Sequence, residues 1–212
     1  MAPAGQEPGR PVASGAPDGR GAGTLSQDAA DLSRFPTFVL RPNRVCFRIH
    51  WAGKDPWWFN ADGSRRFDLE APRGTCYLAE TALVAFVEVG ARLSYVDPDE
   101  LARRSLARLR VTGLLRLADV TSPKAAGFGV TARASAGSDY PRDSQPWARR
   151  LAAAGFDGIR YGLSHEPGLR LRGLALFGEA GEHPSFGPVD EGPIPEALVA
   201  KAMARFGFRY AP

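Results

Sequence analysis

The apolar pattern of the chain changes character near Phe35. Residues 1–34 are rich in Gly, Ala and Pro and show no apolar periodicity. Such a segment buries too little surface to offset its ordering entropy, so a disordered tail is expected before a domain spanning 35–212. Phe38-Val39-Leu40 and Val45-Cys46-Phe47-Arg48-Ile49-His50 read as short strands about a turn at Arg41-Pro42-Asn43. In the second strand Val45, Phe47 and Ile49 share one face, which sends Arg48 to the other with Cys46. An aromatic loop at 51–64 holds Trp51, Trp57, Trp58 and Phe59. After the turn Ala71-Pro72-Arg73-Gly74 comes an apolar strand-like run at 75–79 and a helix-like stretch at 80–90, with Gly90 as its stop.

Further along, Asp97-Pro98-Asp99-Glu100 carries a cap, a proline at the first helical position and acids in the first turn. It predicts a helix to about residue 110, with Leu101, Leu106 and Leu109 inward and Arg103, Arg104, Arg108 and Arg110 on a solvated face. A strand at 114–120, a Gly-, Ala- and Ser-rich loop at 122–138 and a helix at 145–154 follow. Strands at 159–161 and 173–177 flank the turn Ser164-His165-Glu166-Pro167-Gly168. A Gly/Pro-rich connection then leads to a last helix at 195–206. Short strands mixed with scattered helices predict an α+β fold, a compact mixed sheet with flanking helices.

One residue breaks the pattern. Glu88 stands in the last turn of an almost wholly apolar helix, where the helix dipole disfavours an anion by ~0.3–1 kcal/mol. Val84 and Ala85 are its neighbours on the same helix face. Such a carboxylate is turned to solvent or held for chemistry.

Composition narrows the classes of function. The 212 residues are 44% apolar and 24% charged, the balance of a soluble globular protein. No apolar run approaches the ~18–20 residues that span a bilayer, and the first thirty residues lack the basic start and apolar core of a secretory signal. Cys46 and Cys76 form neither a disulfide framework nor a metal spacing, and are read as reduced core residues of a cytoplasmic protein. The net charge is +4, with lysine only at Lys54, Lys124 and Lys201 and arginine elsewhere. Arginine suits planar recognition of phosphate and carboxylate. Gly127-x-Gly129 lacks the third glycine of a nucleotide-binding loop, no Gly-x-Ser-x-Gly elbow occurs, and His50, His165 and His183 have no metal spacing.

What remains is Arg48 and Arg66 near strand ends, Tyr77, Glu88, and a late turn carrying Tyr161 and Ser164. Together they suit cleavage of the N-glycosidic bond of a dinucleotide. Guanidinium groups hold the pyrophosphate, an aromatic face stacks on nicotinamide, and one carboxylate stabilises the oxocarbenium charge. The leaving nicotinamide departs neutral, so no second carboxylate is required as a general acid.

The same residues resemble the RES-domain family, named for an arginine, a glutamate and a serine, many of whose members are toxins of bacterial toxin–antitoxin pairs. The resemblance covers roughly residues 44–178. It rests on Phe47-Arg48-Ile49, on Arg66-Phe67-Asp68, and on Gly74-Thr75-Cys76-Tyr77-Leu78-Ala79 followed by Glu88. Ala118-Asp119-Val120, Gln145-Pro146-Trp147-Ala148, Gly155-Phe156-Asp157-Gly158-Ile159-Arg160-Tyr161 and Ala175-Leu176-Phe177 complete it. Two departures stand out: Arg65 replaces a glycine before Arg66, and Ser164 comes one residue late after Tyr161, with His165 where an arginine often follows.

The resemblance implies a fold related to diphtheria-toxin-like ADP-ribosyltransferases and NAD+ as substrate, without a metal. The expected activity is NAD+ breakdown by phosphorolysis or hydrolysis, which depletes the cellular pool unless an antitoxin binds. Glu88, Arg48 and Ser164 are then the catalytic candidates, and Arg48, Arg66, Tyr77 and Tyr161 the NAD+-binding ones. ADP-ribosylation of a protein is the alternative reaction. An inactive module that binds an antitoxin or nucleic acid is the alternative class.

Overall fold

A computed structural model of the protein describes residues 31–90 and 96–210. Its strands are β1 (Thr37–Leu40), β2 (Val45–Trp51), β3 (Arg73–Ala79), β4 (Arg104–Arg110), β5 (Leu115–Asp119), β6 (Gly158–Gly162), β7 (Arg172–Glu179) and β8 (Val189–Pro193). They join in one sheet of order β1-β5-β6-β7-β3-β2-β4-β8, in which β5 and β6 run parallel and the other neighbours antiparallel. The helices are α1 (Ala82–Gly90), α2 (Pro98–Ala102), α3 (Arg133–Ala136), α4 (Tyr140–Asp143), α5 (Gln145–Ala153) and α6 (Glu196–Phe206). The expected α+β architecture is present. Among the described residues no helix is long and apolar enough to cross a membrane.

Alternation along the strands builds two cores. Phe47, Ile49, Tyr77 and Ile159 point to the face covered by α1, α5 and α6. Cys46, Cys76, Leu78, Leu109 and Leu176 point to the other, which is covered by Trp57 and Phe59 from the loop after β2 and by Phe186. Both cysteines are free and buried there, and burial pushes the Cys46 thiol up to about 12. α1 lies between the sheet and α6. Leu83, Val84, Ala85, Phe86 and Val87 are all buried, which is why the helix is apolar nearly all round. The Thr81 hydroxyl accepts from the Val84 N–H at 3.2 Å and caps its start.

Three expectations are corrected. The helix predicted over 97–110 ends at Ala102, and residues 104–110 form strand β4. Ala107 and Leu109 alternate into the sheet core, so the two-residue period overrides the strong helix start. The basic helix face is therefore absent: Arg104 pairs with Glu100, and Arg108 lies 3.4 Å from Asp190. The Gly/Pro-rich connection contains an edge strand, β8. The packed domain also begins before Phe35. Leu32–Arg34 form a 3-10 turn capped by Asp31, and Leu32 is buried in the larger core. The disorder expected for residues 1–30 lies outside the described residues.

The feature that positions the site is an asymmetry about β3. Against β7 it is paired along its whole length, from Arg73↔Glu179 to Ala79↔Gly173. Against β2 it is paired only at Phe47↔Ala79. Beyond that point the strands part, and the chain leaving Trp51 loops back so that Asn60 bonds the free edge of β3 at Thr75 instead.

Candidate active site

Two cavities adjoin at Tyr77 and Glu88, which line both, and the larger lies over the parted strands. The larger, of about 190 Å³, is bordered by Arg48, Arg65, Arg104, Glu100 and Trp51. The smaller, of about 70 Å³, is bordered by Arg66, Tyr140, Tyr161, Ser164 and His165. All six residues expected from the sequence thus line one of the two spaces or both.

Glu88 projects from the last turn of α1, half-buried. The Tyr161 hydroxyl donates to its Oε1 at 2.8 Å, and among the described residues Glu88 makes no ion pair. Tyr161 is 2% exposed. Burial, and then the Glu88 charge, hold its phenol well above the usual tyrosine range, so it stays a neutral donor. Its ring lies over Gly173 of β7, where a Cβ would sit 2.4 Å from the ring carbon that bears the hydroxyl. Glycine at that position is what lets the tyrosine cross the strand towards α1.

Tyr77 is fixed by its hydroxyl. It accepts from the Phe67 N–H at 2.8 Å and donates to Asp68 Oδ1 at 2.9 Å. Asp68 also accepts from the Asn60 side chain at 2.8 Å and the Arg65 N–H at 3.0 Å. Burial raises the Asp68 carboxyl above the usual carboxylate range, while these hydrogen bonds oppose the shift. Burial, and then the Asp68 charge, keep the Tyr77 phenol well above its usual range. Its ring, with the Arg65 guanidinium 5.6 Å from the centroid, is therefore a wall and not an acid or base.

The two arginines expected to hold phosphate together lie in different places. Arg48 Nη1 donates to Pro56 O at 2.6 Å, Trp58 O at 3.0 Å and Cys76 Sγ at 3.1 Å. It is a strut that fastens the loop wedged between β2 and β3, and among the described residues its Nε and Nη2 have no hydrogen-bond partner. Arg66 donates to Gly137 O at 2.7 Å and to Ser164 Oγ at 3.2 Å, and its guanidinium lies 4.9 Å from the centre of the Tyr140 ring. Ser164, despite its late spacing after Tyr161, therefore reaches the Arg66 group.

Sequence reasoning missed Arg65, Arg104, Trp51 and Tyr140 as lining residues. Arg104 was hidden by the helix prediction, and Tyr140 comes from a segment with no periodic signal. Gln145 had a signal, being an amide at the start of an amphipathic helix. It is buried and donates to Gly63 O at 2.8 Å and Arg65 O at 3.0 Å, pinning the loop that carries both arginines.

Comparison with known proteins gives one family and one fold. The RES domain matches residues 41–194. No curated protein matches the sequence. Among solved structures, the crystal structure of the MbcT–MbcA toxin–antitoxin complex of M. tuberculosis contains a chain similar to this one. The likeness has a TM-score of 0.60 at 19% identity, over 78% of this chain and 92% of that one. At that identity the likeness is one of fold.

Proposed function

The chain belongs to the RES domain family, and from that premise we propose that it is a toxin-type enzyme that cleaves the nicotinamide N-glycosidic bond of NAD+. One observation carries the reading: the carboxylate of Glu88, held by Tyr161 and without an ion pair among the described residues, lies where an arginine-lined and a tyrosine-lined cavity meet. As the bond from C1′ to the pyridinium nitrogen breaks, its electron pair neutralises the ring and positive charge builds on the ribosyl group. A preorganised anion beside that group is more strongly engaged in the transition state than in the ground state. Water or phosphate then adds at C1′ and loses a proton, giving ADP-ribose or its 1-phosphate together with nicotinamide.

The other residues have supporting roles. Tyr77 presents a fixed ring to the nicotinamide end, and Tyr161 keeps Glu88 oriented. Arg66 with Ser164 on one side, and Arg48 on the other, supply donors for phosphate and ribose oxygens. The fold is read as related to diphtheria-toxin-like ADP-ribosyltransferases. By likeness to MbcT–MbcA, a cognate antitoxin is the proposed partner, acting in the cytoplasm where NAD+ is drawn down.

The test is to incubate the purified chain with NAD+, with and without phosphate, and identify the products. Free nicotinamide with ADP-ribose or its 1-phosphate is expected, and the dependence on phosphate assigns the acceptor. Label transferred to protein instead would make the chain a mono-ADP-ribosyltransferase. NAD+ left intact would end the reading.

A further inference from the structure

Trp51 is the last residue of β2 and follows Phe47 and Ile49 on the same strand face. Those two pack with α1, whereas Trp51 lies beyond the packed region and is 47% exposed at the rim of the larger cavity. The half-exposed indole leaves aromatic surface open to a ligand in the cavity. Of the large apolar side chains that are exposed among the described residues, it is the one that lines this cavity.

Its neighbour is held in place. Arg104 is the registered cross-strand partner of Trp51, and its guanidinium lies 4.1 Å from the centre of the indole ring. Arg104 is pinned in turn by the Glu100 carboxylate, and the two side chains are only 14% and 19% exposed. A rigid indole–guanidinium shelf therefore stands beside Arg48 and Arg65. Because Glu100 is committed to Arg104, the remaining charge on this side of Glu88 favours an anion. A flat aromatic shelf next to cationic donors is the chemistry that recognises a nucleotide: the base stacks and the phosphates meet the arginines.

We propose that Trp51 and Arg104 form the platform for the purine base of the substrate, so that the larger cavity selects an adenine dinucleotide. This rests on the NAD+ reading of the same site and adds the half of the molecule that the Glu88 end does not read. The adenosine diphosphate half lies along Trp51, Arg104 and Arg48. The nicotinamide ribosyl half passes Glu88 into the smaller cavity.

The experiment uses calorimetric titration of the purified full chain with ADP, which carries the base, and with ribose 5-phosphate, which lacks it. Steady-state NAD+ kinetics accompany it. Loss of one base stack at Trp51→Ala raises the Kd for ADP and the KM for NAD+ by about 5- to 150-fold, an effect on KM more than on kcat. The Kd for ribose 5-phosphate changes by less than about twofold, since that ligand has no base to stack. Trp51→Phe, which keeps an aromatic face, recovers most of the ADP affinity, whereas Trp51→Leu does not. That pair carries the test where the alanine variant fails to fold.

Equal losses for both ligands, or unchanged ADP affinity in Trp51→Leu, would overturn the platform. So would a wild type that binds no ADP. A wild type that binds ADP through Trp51 but leaves NAD+ intact removes the proposed reaction and keeps the platform. A wild type that cleaves NAD+ with a KM indifferent to Trp51 does the reverse.

Discussion

The two sides of β3 are built on opposite principles. Towards β7 the seam is closed, with every residue of β3 in register. Its close packing continues at the next strand, where Gly173 admits the Tyr161 ring and Gly158 sits where a Cβ would be 2.3 Å from Ala175 O. Towards β2 the seam opens after one pair, and a polar wedge does the work of the missing ladder. Asn60 N donates to Thr75 O at 2.9 Å, Thr75 N to Asn60 O at 2.7 Å, and Arg48 satisfies Pro56 O and Trp58 O. A closed seam leaves no room between strands for a ligand. An open one does, provided its freed backbone groups find other partners. Glu88 sits on the helix that spans this transition, so the rigid side supplies its Tyr161 donor while the open side supplies the space.

The largest expected effect separates chemistry from this framework. Glu88→Gln keeps the shape and still accepts from Tyr161, but loses the charge, so NAD+ turnover falls by ~10²–10³. It also relieves an anion at a helix C-terminus, so the thermal midpoint holds or rises slightly. Product assays beside thermal melts check the divergence. Unfolding by this change would make Glu88 a structural partner, and undiminished turnover would place the site elsewhere.

Breaking the closed seam gives a coupled loss. Gly173→Ala drives a methyl group into the Tyr161 ring, and overpacking of this kind costs about 1–3 kcal/mol. Because the displaced ring is the one that holds Glu88, turnover falls with the urea midpoint and not independently of it. A variant with full stability and full turnover would show that the close approach has no role.

Breaking the open seam is milder. Arg48→Met removes the strut and leaves the Pro56 and Trp58 carbonyls without that donor, at a cost of roughly 1–3 kcal/mol less whatever water restores. The denaturant midpoint drops, and the KM for NAD+ rises if Nη2 is a phosphate donor. Unaltered stability would reduce Arg48 to a ligand contact alone.

The smallest effect is one of pH. The Asp68 carboxyl is raised above its usual value by burial, so its contribution to stability is fully present below the unfolded-state value and is lost as pH rises through the folded one. The stability difference between wild type and Asp68→Asn accordingly shrinks as pH rises through the carboxylate range. Melts across that range check the sign. A difference that grows instead would mean that the Tyr77, Asn60 and Arg65 hydrogen bonds outweigh desolvation.

Much of the candidate site's lining is legible in the residues before any fold is known. Glu88 stood out because a charge in the last turn of an apolar helix needs a reason. Arg66, Tyr77, Tyr161 and Ser164 were found from motif order, which local chain chemistry preserves, and so were the strands whose alternation is uninterrupted. The segment 104–110 was misread because a well-capped helix start is a local signal, whereas the pairing of β4 with β2 and β8 is not. Only the tertiary structure decided that Arg48 braces a wedge while Arg65 and Arg104 join its cavity. It also decided that Trp51 emerges at the rim and that Gly173 exists for a tyrosine on another strand. Each depends on where β2 parts from β3, and that point is set by competition between distant segments for one strand edge, which no local pattern encodes.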